Sequence, residues 1–96
     1  MEDLKRFDIA GYGDLLMVVV ESDFIPPEPV IVVIPLLRDY PAVTHLNPTL
    51  NCDGHNMILA TRLITSAQRS ALRRIGSAAG QTDEITRAID VLLTGF

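Results

Sequence analysis

At 96 residues and 10.5 kDa the chain supports one compact domain, residues 1–96, with a single core. Apolar residues at 48% and charged residues at 21% exclude a disordered or collagen-like chain, and the absence of Trp makes the core aliphatic. A formal charge of −4 argues against a broad basic face for a phosphate backbone, so direct nucleic-acid binding is not expected.

The start, Met1 to Arg6, lacks the basic then apolar pattern of a secretory signal. The apolar runs Leu15 to Val20 and Val30 to Leu37 fall short of the ~20 residues that cross a bilayer as a helix. One cysteine, Cys52, cannot close an internal disulfide, so the expected setting is cytoplasmic, away from membranes.

In chain order, Gly11-Tyr12-Gly13 is too short for a phosphate cradle and reads as a turn. Leu15 to Val20 is a β-branched run that predicts a buried strand. Phe24-Ile25 lies between Ser22-Asp23 and Pro26-Pro27-Glu28-Pro29, a proline-rich loop. Val30 to Ile34 predicts a second central strand, with Pro35 marking where pairing stops on that side. Residues 38–49, with Pro41 and Pro48, predict an excursion without a long helix. Asp53-Gly54 suits a tight turn pairing Leu50 to Cys52 with His55 to Leu59.

By propensity alone residues 67–75 would be helical, and residues 76–80 form a flexible connection. From Thr82 to Phe96, Ile85, Ala88, Ile89, Leu92, Leu93 and Phe96 recur at three and four residues, the stripe of a helix. Thr82 is its expected cap, Asp83 and Glu84 suit its positive end, and Gly95 its stop.

Catalytic chemistry is sparse. His45, Cys52, Asp53 and His55 lack paired zinc spacing, so no metal or cofactor is expected, and Cys52 reads as a small apolar filler. Arg62, Arg69, Arg73, Arg74 and Arg87 fall in the basic second half and read as a solvated face. Asp39, His45 and His55 are candidate bases that no spacing brings to an arginine. The apolar end, Leu92-Leu93-Thr94-Gly95-Phe96, must pack inside, pack against a twin subunit or meet a partner. The residues alone leave these alternatives open.

The strand Leu16 to Asp23, the apolar pair, the prolines and Val32-Val33-Ile34-Pro35-Leu36 resemble the amino-terminal half of CcdB-type toxins of toxin–antitoxin modules. Asp83 to Phe96 resembles their closing helix, so the likeness covers nearly the whole chain in order. It implies an α+β, mainly β fold: a small SH3-like antiparallel barrel or sheet of the CcdB/PemK type with a C-terminal helix. It also implies strand, not helix, between Arg69 and Ile75.

The same resemblance implies a homodimer and a non-enzymatic poison that binds the A subunit of DNA gyrase (GyrA), trapping gyrase on cleaved DNA. A cognate CcdA-like antitoxin neutralises such toxins. Residue-wise, the gyrase-facing positions are Phe24, Ile25, Asp90, Leu93, Thr94, Gly95 and Phe96. Thr94 stands where the family often carries a Trp that stacks on the target. The alternatives are a MazF-like endoribonuclease toxin on a related barrel, against which the missing acid–base constellation counts, and an inactive antitoxin-binding homologue.

Overall fold

The computed structural model describes residues 3–95. Strands β1 (Asp8–Tyr12) and β2 (Leu15–Val19) form an antiparallel hairpin in which Tyr12 faces Leu15. Gly13, at φ 58°, adopts the left-handed conformation that this two-residue turn requires. The run Gly11-Tyr12-Gly13 is thus only partly a turn, because Gly11 and Tyr12 belong to β1, a strand that sequence reading overlooked. Its alternation is obscured by Asp8, a carboxylate only 4% exposed that accepts the Lys5 N–H at 2.8 Å and pairs with Arg74 Nε at 3.2 Å. Gly11 is needed for a close approach: a Cβ there would meet Ile75 Cδ1 at 3.2 Å.

Strand β3 (Val30–Leu37) is the hub. One edge pairs with β2, from Val19 against Val33 to Leu16 against Leu36. The other edge is divided: β6 (Thr65–Gln68) takes Val30 to Val33, and β5 (His55–Leu59) takes Leu36 and Leu37. Pairing on that edge is interrupted at Pro35 as expected, but the strand runs past Ile34 to Leu37 and takes a second partner there. Pro35 lies in the gap between the two partners, where its missing N–H breaks no ladder and its carbonyl accepts Ala60 N–H at 3.0 Å.

Strand β4 (Thr49–Cys52) pairs with β5 as expected, Cys52 facing His55. Asp53 (φ 56°) and Gly54 (φ 84°) supply the two positive φ angles of a type I′ turn. Residues 67–75 form no α-helix despite their propensity, and Ala67 and Gln68 belong to β6. After a 3-10 turn at Arg69–Ala71, β7 (Arg73–Ser77) pairs with β1 and skips Ile75 in a bulge. Gly76 and Ser77 belong to β7, and Ala78 is buried, so the segment from 76 to 80 is no flexible connection. The seven-stranded sheet runs β4-β5-β3-β2-β1-β7, with β6 on β3.

Helix α1 (Thr82–Thr94) covers one face of the curled sheet, with Ile85 and Ala88 fully buried against Val18, Ile34, Leu36, Leu50 and Leu59. Burial of such an aliphatic side chain stabilises by roughly 1.5–3 kcal/mol. Leu4, Ala10, Met17, Val19, Ile31, Val33 and Leu72 pack on the opposite face, as the two-residue period of β2 and β3 dictates. Thr82 makes no cap; the residue before the helix is Gln81. The Gln81 amide accepts the Asn51 N–H at 2.9 Å and donates to the Asn51 carbonyl at 3.1 Å, fastening the start of α1 to β4. Among the described residues no helix is long and apolar enough to cross a membrane.

Candidate functional site

Burial of one flank of α1 dictates what its end displays. With Ile85 and Ala88 inward and Ile89, Val91 and Leu92 half-buried, the remaining positions of the last turns face solvent. Asp90, Leu93, Thr94 and Gly95 are all exposed, and Leu93 is 72% exposed. Leu93 is thus off the buried stripe to which its spacing assigned it. Gly95 takes a left-handed conformation at φ 81° and its N–H donates to the Val91 carbonyl at 3.0 Å, which closes the helix. Phe96, expected in both the helix and the contact surface, lies outside the described residues.

The Thr94 hydroxyl donates to the Asp90 carbonyl at 2.6 Å. Its single proton is spent on the helix, leaving the methyl and the accepting oxygen for a partner. No basic side chain occupies the last turn, so Asp90 and the negative helix end place a local negative potential beside the exposed Leu93.

Phe24 and Ile25 sit on the loop joining β2 to β3. Phe24 is 97% exposed and Ile25 52% exposed. The loop is nonetheless ordered by short polar contacts. Ser22 Oγ accepts the Phe24 N–H at 3.2 Å, the Ser22 carbonyl accepts the Ile25 N–H at 3.2 Å, and Asp23 Oδ1 accepts the Arg6 N–H at 2.8 Å. An exposed Phe on a loop pinned in this way would lose little further conformational freedom if a partner covered it.

The proposed contact residues therefore form two groups. Helix α1 is docked on the face of Val18, Ile34 and Leu36, whereas the loop rises beside a recess lined by Leu4 and Ile31 of the opposite face. Each group is internally contiguous.

Sequence reasoning missed Arg69 and Glu21. Arg69 is no member of a solvated face: its side chain is 11% exposed and pairs with Glu21, 12% exposed, at 3.4 Å. Arg62, Arg73, Arg74 and Arg87 are exposed. No local pattern announces a pair 48 residues apart.

Burial pushes the Cys52 thiol up from its ordinary value, which disfavours the thiolate a nucleophile needs. Among the described residues no group of three or more His, Cys, Asp or Glu is placed to hold a metal ion. His45 Nδ1 lies 3.4 Å from Arg87 Nη1, at an open groove of about 960 Å³ beside α1. Asp39, His45 and His55 are all exposed.

The fold is a curled antiparallel half-barrel closed by a C-terminal helix, near whose end Leu93 is exposed. The CcdB protein family matches residues 11–95, and the chain belongs to that family. Membership makes it the toxin of a toxin–antitoxin pair, with an antitoxin as partner. No curated protein matches the chain.

Proposed function

We propose that this toxin is a non-enzymatic inhibitor of DNA gyrase that binds GyrA and traps the gyrase–DNA cleavage complex. Its contact surface comprises Phe24, Ile25, Asp90, Leu93, Thr94, Gly95 and Phe96. The observation that carries this reading is the exposure of the helix end and loop apolar groups, Leu93 at 72% and Phe24 at 97%, in a chain of this family. Such groups lose water-exposed area only when a partner covers them, about 25 cal/mol gained for each Å².

The partners are GyrA, a CcdA-like antitoxin and a second copy of the chain, in the cytoplasm, without membrane contact or direct nucleic-acid binding. A two-fold pair doubles both exposed groups and suits a symmetric target. Thr94, lacking the ring of a Trp, makes the aromatic contribution rest on Phe24 and Phe96.

Incubation of the purified protein with gyrase and supercoiled plasmid tests the proposal. Linear plasmid should appear after the enzyme is denatured and should diminish when antitoxin is added. Cleavage of RNA by the same preparation, with the plasmid left intact, would overturn this reading in favour of an endoribonuclease.

A further inference from the structure

Arg69 closes the stem of the loop that carries Phe24. Its Nε donates to the Glu28 carbonyl at 2.7 Å, its Nη2 reaches Glu21 Oε2 at 3.4 Å, and its backbone N–H donates to the Pro29 carbonyl at 2.8 Å. Glu21 lies at the entry to the loop and Glu28-Pro29 at its exit, so one side chain from a distant part of the chain spans both. The other Glu21 oxygen, Oε1, accepts the Val32 N–H at 3.4 Å, which completes the bracket. Between these stems, residues 22–27 bury no large side chain. The loop therefore has no apolar root of its own, and its shape depends on the polar bracket.

We propose that Arg69, through Glu21 and the Glu28 carbonyl, is a positioning residue that fixes the Phe24–Ile25 loop for target contact. The inference rests on the reading of Phe24 as part of the gyrase contact. A guanidinium is suited to the task because its donors diverge from one rigid plane toward a carboxylate and a carbonyl. A lysine ammonium in the same place is a single point of charge and cannot serve both acceptors with the same geometry.

The experiment uses the full chain carrying Arg69→Lys, and separately Glu21→Gln, which keeps an oxygen for Val32 but removes the charge. Amide hydrogen exchange and GyrA binding are measured for each, alone and combined with Phe24→Ala. Arg69→Lys should speed exchange at Phe24 and Ile25 about tenfold, leave the Gly95 amide unchanged, and weaken GyrA binding about tenfold. Added to Phe24→Ala it should weaken binding much less than it does in the parent, because the main group it positions is gone and only Ile25 is left to misplace.

Unchanged loop exchange overturns the proposal. So does faster exchange spread equally over β2 and β3, or a binding loss that adds fully to that of Phe24→Ala. Should Arg69→Lys fail to fold, Glu21→Gln decides by the same measurements, and unfolding of both variants also overturns it. A Phe24→Ala variant that binds GyrA normally would remove the gyrase-contact reading, and loop exchange would still decide whether Arg69 sets the loop.

Discussion

The end of α1 and the β2–β3 loop both put an apolar side chain into water, yet they are held by different physics. The helix end inherits its position from Ile85 and Ala88, buried against the sheet eight and five residues before Leu93. The loop has polar staples: Ser22, Asp23 and the Arg69–Glu21 bracket. A surface rooted in apolar packing should tolerate changes at its tip, whereas a surface rooted in hydrogen bonds should respond to single polar substitutions near its base.

The largest effect is expected at the helix end. Deleting Gly95 and Phe96 should abolish growth arrest on induction, while unfolding free energy stays within about 0.5 kcal/mol of the parent, because the docked flank is untouched. A truncated chain that still arrests growth would place the contact elsewhere. Removing the root has the opposite signature: Ile85→Ala should cost about 2–5 kcal/mol in denaturant unfolding, since Ile85 is fully buried. Loss of arrest by Ile85→Ala with no loss of stability would mean that Ile85 touches the target itself.

At the loop, Phe24→Ala should weaken GyrA binding by about 2 kcal/mol, roughly 30-fold, with unfolding unchanged. The ring is 97% exposed, so a destabilised variant would place it in the core and end the comparison. Thr94→Trp is the smaller converse at the helix end. Restoring an aromatic face should tighten GyrA binding by about 1 kcal/mol, measured by titration calorimetry. Unchanged affinity would remove Thr94 from the contact.

Which of these features the sequence could disclose follows from how local their causes are. The stripe of α1, the β2 run and the Asp53-Gly54 hairpin arise from spacing and turn chemistry within a few residues, and all three stand in the fold. β1 was hidden because Asp8, Gly11 and a short polar turn break its pattern, although each has a long-range reason: Arg74 meets Asp8, and Ile75 lies over Gly11. Pro35 reads as a stop until β3 is seen to exchange one partner for another at that residue. Helix propensity in 69–75 lost to pairing of β7 with β1, a tertiary preference. At the site, the exposed residues were legible as an apolar end and an isolated apolar pair. The Arg69–Glu21 bracket was not, because it joins segments 48 residues apart.

The smallest effect expected is a pH dependence that reports the root of α1 from within. Cys52 lies in the layer that α1 covers, with Ile85 and Ala88, and burial holds its thiol above the ordinary value of 9.0. A thiol whose folded pKa is raised contributes stability that is complete below the unfolded value and declines as pH rises from there through the folded one. Unfolding free energy should therefore fall slightly above about pH 9 in the parent and lose that part of its slope in Cys52→Ala. Thiol labelling at pH 8 should likewise be slow in the parent and in the Gly95–Phe96 deletion, and fast in Ile85→Ala, where the helix root is loosened. Rapid labelling of the deletion would show that the helix end helps to hold its own root down, and the division between a packed root and a free tip would fail.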